Sequence, residues 1–87
     1  MHVKLFMGSE IPPETHVSDS AAGLVRYKFN PSGLETVQKL KFLAAAIISE
    51  CELIRDNKGP GAREAAIAIT DLQKASMMAV AAATAHL

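Results

Sequence analysis

Asn57-Lys58-Gly59-Pro60-Gly61 divides two long runs of helical character, and the reading of that break decides the fold. Gly-Pro-Gly does not continue a helix, because proline lacks the amide hydrogen and glycine loses the most chain entropy. The break is short, so the second helix returns antiparallel to the first. Before the break, Val37, Leu40, Ala44, Ile47, Cys51 and Ile54 recur at alternating three- and four-residue steps, the pattern of a two-helix seam. Phe42, Leu43, Ala46 and Leu53 form a second apolar set off that seam. The spacing predicts a helix from Leu34 to about Asp56, roughly 34 Å long at about 1.5 Å per residue. Ser32 and Glu35 have the spacing of a capping box at its start. After the break, Ala65, Ile69, Leu72, Ser76, Ala79 and Ala83 predict a second helix from Ala62 to near Ala85, with Ile67, Met77, Met78 and Val80 beside the stripe. Both helices are apolar over more than one stripe, so a single hairpin leaves surplus surface that further copies must cover.

Toward the N-terminus the character changes. Met1–Met7 alternates weakly, as a short strand or a tail would, and Gly8–Ser20, with Pro12 and Pro13, reads as irregular. Leu24–Asn30 alternates cleanly, with Val25, Tyr27 and Phe29 on one side and Arg26 and Lys28 on the other, which predicts an extended segment. The expected architecture is all-α. Residues 31–87 form an antiparallel two-helix hairpin, residues 1–30 a short, partly extended segment, and copies assemble into a helical-bundle oligomer.

A chain of 87 residues makes one domain. At this size only about 60–65% of the unfolded surface is buried, so a staple is expected. Cys51 is the single cysteine, which excludes an internal disulfide, and His2, His16 and His86 are too scattered to make a zinc site with it. Self-association remains. Hydrophobic residues are 49% of the chain and aromatics 5%, with alanine concentrated after Leu43; such surface packs helix against helix better than it fills a bulky core. The zero net charge argues against a sequence-independent nucleic-acid binder, which carries a broad basic face. No segment reads as a signal peptide and no apolar run reaches the roughly 18–20 residues of a membrane span. A soluble, intracellular protein with reduced Cys51 is the expectation.

No nucleophile–base pair, phosphate-binding P-loop or metal motif is visible, so no catalytic residue, metal or cofactor is assigned. Glu50, Glu52 and Asp56 read as a solvated helix face, and Cys51 as a small buried hydrophobe on the seam. Tyr27 lies between Arg26 and Lys28, with Lys39 and Lys41 at the next helix start. A ring offers a face to a base and cations pair with phosphate; a packed tyrosine with solvated lysines fits the same spacing. Lys58–Gly61 leads into Arg63. Glycines before a helix leave amides exposed at its positive end, and Arg63 adds a bidentate donor; an ordinary turn with Arg63 paired to a carboxylate fits equally.

Gly61-Ala62-Arg63-Glu64, followed by Ala66, Ala68, Thr70, Leu72, Ala75, Met77, Ala79 and Val80, resembles the second helix of the anti-CBASS/anti-Thoeris hairpin family of phages. Upstream, Tyr27-Lys28 and Leu40-Lys41 are similar to that family's Y-R and I-K elements. The resemblance covers about Leu24–Ala85. It departs where Met78 replaces a tryptophan, where Ala81 and Ala82 replace basic or polar residues, and where Tyr27 and Lys41 stand one residue closer, which leaves Phe29 as an alternative stacking ring. The resemblance implies a protein that sequesters the cyclic oligonucleotide signals of bacterial CBASS immunity in the cytoplasm of the infected host, as a homohexamer of hairpins. Cyclic dinucleotides would bind between paired subunits through Tyr27 and Lys41, with Lys28 beside them. Cyclic trinucleotides would bind on a three-fold axis through Arg63, with Thr70. A non-enzymatic binding protein is therefore the leading expectation, with the chain itself and these ligands as partners and no membrane or nucleic-acid polymer among them. A ribbon-helix-helix DNA regulator, with Val25–Asn30 as its ribbon, is the alternative, and a purely structural coiled-coil module the third.

Overall fold

A computed structural model describes residues 16–87. The readings of Met1–Met7 and of residues 8–15 lie outside the described residues. The described chain is all-α: α1 spans Asp19–Leu24, α2 Glu35–Asp56 and α3 Ala62–Ala83. The two long helices form the expected antiparallel hairpin. Ile54 lies against Gly61 at the loop end, while Lys41 of α2 shares a groove with Ser76 and Val80 of α3 at the other.

The short helix α1 takes up Asp19 and Ser20, at the end of the stretch expected to be irregular, and stops where the extended segment was expected to begin. Ser18 caps it, its Oγ accepting from the Ala21 amide at 3.0 Å, and Asp19 complements the positive end of the dipole. The chain leaves α1 through a left-handed residue, Arg26, at φ 53°. The Arg26 amide donates to Gly23 O and the Tyr27 amide to Ala22 O, the paired bonds of a Schellman cap. Leu24–Asn30 is thus a helix end and a turn, because local capping and packing against α2 outweigh a three-residue apolar alternation. No strand occurs among the described residues, so the ribbon of a ribbon-helix-helix regulator is missing.

The start of α2 also differs from the expected capping box. Leu34 is the cap residue and makes no side-chain cap bond. Ser32 Oγ instead accepts from the Leu34 amide at 3.2 Å and donates to Asn30 Oδ1 at 2.7 Å. The serine is drawn into the preceding turn rather than onto the helix.

α2 is rotated from its expected seam. Its buried stripe is Val37, Lys41, Ala45, Ile48 and Glu52, with Ser49 alongside, whereas Ile47 is 51% and Ile54 48% exposed. Two causes combine. Ala45 shares one core cluster with Ala21 of α1, both fully buried, and polar members of the stripe find partners in the segment before α2. Ser49 Oγ accepts from the Ser18 amide at 2.8 Å and donates to Ala45 O, while Ser18 Oγ donates to Glu52 Oε1. Glu50 and Asp56 lie in solvent as expected, but Glu52 does not. The α3 stripe agrees with the sequence: Ala65, Ile69 and Ser76 are buried, and Leu72, Ala79 and Ala83 half-buried.

The core is small. Ala21, Val25, Ala45, Ile48 and Ile69 form it, with Cys51 and Leu72 at its margin. Full burial of Ile48 contributes about 2–3 kcal/mol. Leu43, Ile47, Leu53 and Ile54 of α2 and Ile67, Met77 and Met78 of α3 remain exposed. Both long helices thus keep apolar side chains in solvent among the described residues.

Candidate ligand-binding site

The expected ligand residues divide between the two ends of the hairpin. At the open end, the turn after α1 presents Tyr27, Lys28 and Phe29. The Tyr27 ring is half-buried and tilts against Phe42 with centroids 6.4 Å apart. With Asp19, Gly23, Arg26 and Lys28 it lines an open groove of about 490 Å³. Lys28 and Phe29 are exposed.

Lys41 reaches this turn from below. It is only 6% exposed, and its ammonium donates to the carbonyls of Arg26, at 2.9 Å, and Phe29. The ammonium also lies 5.6 Å from the Phe29 ring centroid, within cation–π range. Burial pushes the Lys41 pKa below the ordinary lysine value, and the Arg26 guanidinium lowers it further. Gln38, one helical turn earlier, donates from Nε2 to Tyr27 O at 2.9 Å and accepts from Asn30 Nδ2 at 3.1 Å. Two polar side chains of α2 therefore hold three carbonyls of this one turn, those of Arg26, Tyr27 and Phe29. A second groove, about 280 Å³, opens on the other side of Arg26 and is lined by Lys41, Gln73, Ser76 and Met77.

Sequence reasoning placed Tyr27, Lys28 and Lys41 together, and the structure brings them to one turn. It named Arg26 as a cation beside Tyr27 without assigning it to the ligand, and it passed over Gln38 as a support. The available signal was polar Gln38 and Lys41 at i and i+3, both facing one side of the helix.

At the loop end, Lys58 at φ 54° and Gly61 at φ 89° shape the reversal. Arg63, in the first turn of α3, is exposed, as is Thr70, whose Oγ1 donates back to Ala66 O at 3.4 Å. Seven residues put both on one face of α3, about 10 Å apart along the axis. Lys41 and Asp56 are about 22 Å apart along α2, so Arg63 and Tyr27 do not meet within one chain. The ion pairs of the described residues, Lys39–Glu35 and Arg55–Asp56, involve none of Arg26, Lys28, Lys41 and Arg63. Among the described residues no helix is long and apolar enough to cross a membrane, and no three His, Cys, Asp or Glu side chains gather as a metal ion requires.

The chain matches no curated protein sequence and no solved structure. Residues 21–84, from the first core alanine of α1 through the end of α3, match the Acb2/Tad1 hairpin domain. The turn, groove and hairpin described above therefore belong to the Acb2/Tad1 hairpin family of anti-CBASS sponges, a family known for binding cyclic nucleotides.

Proposed function

We propose that this protein is a phage immune-evasion sponge, which binds cyclic di- and trinucleotide second messengers of CBASS defence in the cytoplasm of the infected host and holds them uncleaved. Membership of residues 21–84 in a cyclic-nucleotide-binding family carries this reading. Two features of the chain support it. The open-end groove joins a half-buried ring to cations without ion-pair partners among the described residues, which suits a ligand made of flat bases and phosphates. Arg63 stands apart at the loop end, as a second class of pocket requires.

Assembly completes the argument. A cyclic dinucleotide has two phosphates and two bases, and two-fold related copies of Tyr27, Lys28 and Lys41 engage both halves at once. A cyclic trinucleotide has three phosphates, matched by three copies of Arg63, with Thr70, around a three-fold axis. The exposed Leu43, Ile47, Ile54, Ile67 and Met78 supply the surface for a homo-oligomer, a dimer or a trimer of dimers. No membrane, nucleic-acid polymer, metal or cofactor enters this reading, and no residue acts as a catalyst.

Calorimetry with cyclic di- and trinucleotides tests it, followed by heating each complex and analysing the released ligand. Stoichiometric binding and intact ligand are expected, from a particle that sediments as more than one chain. Tyr27→Ala should remove dinucleotide binding and Arg63→Ala trinucleotide binding, each sparing the other. A monomer, a cleaved ligand or indifference to every macrocycle offered ends the reading.

A further inference from the structure

We propose that Asp19 sets the base preference of the dinucleotide pocket: its carboxylate accepts from the N1–H and N2–H groups of a guanine that lies on the Tyr27 ring. This assignment rests on the sequestration reading and names the kind of cyclic dinucleotide that its pocket selects.

The two grooves that meet at Arg26 differ in charge. One joins Arg26 to Lys41, Gln73 and Ser76 and has no carboxylate in its wall. The other joins Arg26 to Tyr27, Lys28 and Asp19. A phosphate belongs on the Lys41 side, where cations and neutral groups alone line the wall. On the Tyr27 side the Asp19 carboxylate repels a phosphate and attracts a group that donates a hydrogen bond. The walls thus sort the parts of the ligand, phosphate toward Lys41 and base toward Tyr27 and Asp19.

Asp19 is exposed, and although Arg26 and Lys28 share its groove, it is in neither ion pair of the described residues. Asp19, Ala22, Gly23 and Arg26 follow one another at the spacing of a single helix face, which runs up to the Tyr27 turn. Gly23 stands one turn from Asp19, about 6 Å along the axis. Its backbone is outside the left-handed region, and a Cβ there would meet nothing within 4 Å. Neither conformation nor packing within the chain requires glycine at this place. Its missing side chain leaves an open path between the carboxylate and the ring.

A carboxylate offers two acceptor oxygens side by side. Guanine alone of the common bases carries two adjacent donors, N1–H and the N2 amine, and so matches both oxygens. Adenine carries one donor, the N6 amine, beside a ring-nitrogen lone pair that faces the second oxygen. In a two-fold assembly each half of the ligand meets its own Asp19, so the discrimination acts twice.

The test is calorimetry of the full chain with 3′,3′-cyclic diguanylate, diinosinate and diadenylate. Diinosinate keeps N1–H and lacks the N2 amine. Wild type should bind diguanylate at least about thirtyfold more tightly than diadenylate, with diinosinate between them. Asp19→Asn keeps the size of the side chain but replaces one acceptor by a donor, and an asparagine amide suits adenine N6 and N7. The guanine-to-adenine ratio should therefore fall at least about tenfold, and the gap between diguanylate and diinosinate should close. The ratio is the readout, because a lost charge or a loosened α1 acts alike on ligands of equal charge. The order of the three ligands on wild type needs no variant and stands even if Asp19→Asn folds poorly. Diadenylate or diinosinate bound as tightly as diguanylate overturns the assignment. So does a ratio that Asp19→Asn leaves unchanged, whether both ligands weaken, tighten or hold. Indiscriminate binding leaves the sequestration reading standing, whereas a wild-type protein that takes up no cyclic di- or trinucleotide brings down that reading and this assignment together.

Discussion

Arg26 and Lys58 take nearly the same left-handed conformation, φ 53° and 54°, and each ends a helix, yet their surroundings share almost nothing. Arg26 closes α1 in a turn fastened from outside: Lys41 and Gln38 of α2 bind the carbonyls of Arg26, Tyr27 and Phe29. Lys58 closes α2 in a loop fastened from within, by its own amide on Arg55 O, by the Ala62 amide on Gly59 O, and by Gly61 at φ 89°. The same backbone strain is thus supported by long-range side chains at one end and by local chain chemistry at the other. A turn held from outside is rigid only when the hairpin is folded, and it is the one that presents Tyr27 and its cations. A loop held from within stands on its own sequence and places only Arg63.

The largest effect should come from cutting the external support. Lys41→Met leaves the Phe29 carbonyl without its partner and the strained Arg26 turn half-held, a destabilisation of about 2–3 kcal/mol in urea unfolding. A change below about 0.5 kcal/mol would show that the turn stands without the lysine, and the contrast between the ends would collapse. Next comes the local support. Gly61→Ala puts a Cβ at φ 89°, where the nearest contact, Ile54 Cγ2 at 3.7 Å, is ordinary; conformation alone should cost about 1–2 kcal/mol. Smaller still, and of opposite sign, Arg26→Gly and Lys58→Gly should each stabilise the chain by up to about 1 kcal/mol, since relief of the left-handed conformation is partly offset by glycine's greater unfolded freedom. Similar gains at the two sites would show that the strain is equal and only the support differs. A loss at Arg26 with a gain at Lys58 would mean that the Arg26 side chain itself holds the turn.

The same contrast explains what the sequence disclosed. The hairpin, its loop and the α3 stripe were legible because Gly59-Pro60-Gly61 and the Ala65–Ile69–Ser76 spacing act through neighbours in the chain. The inward face of α2 was not. An apolar seam through Ile47 and Ile54 matched helical periodicity better than the true stripe, which contains Lys41, Ser49 and Glu52. Those polar residues find partners 12 to 34 positions away for the Lys41 ammonium, the Ser49 hydroxyl and one of the two Glu52 oxygens, a condition that periodicity does not encode. α1 was missed for a related reason. Six residues carry too little pattern to be read as a helix, and its docking depends on Ala45 and Ser49 lying on the rotated face. Tyr27, Lys28 and Lys41 were placed together by their family elements, but which of them faces outward followed only from the turn.

The smallest expected effect is a pH dependence confined to the externally held end. Burial, then the nearby Arg26 charge, puts the folded-state pKa of Lys41 below its unfolded value of 10.5. Between those two values the unfolded chain binds more protons than the folded one, so this residue's contribution to stability rises with pH across that window. Below the window the folded protein bears the full cost of keeping the ammonium charged, a cost met by the two carbonyls it caps. The stability difference between wild type and Lys41→Met should therefore widen as pH climbs toward 10.5, while the difference between wild type and Lys58→Met stays level through the same titration. Arg26→Gln removes the like charge and should move the onset of the widening to higher pH. Parallel unfolding curves at pH 7 to 10.5 for these four proteins and the Arg26→Gln/Lys41→Met double variant decide it. A level Lys41 difference would mean that the carbonyls of Arg26 and Phe29 favour the charged form strongly enough to cancel the burial, so that the turn grips the ammonium as firmly as the ammonium grips the turn.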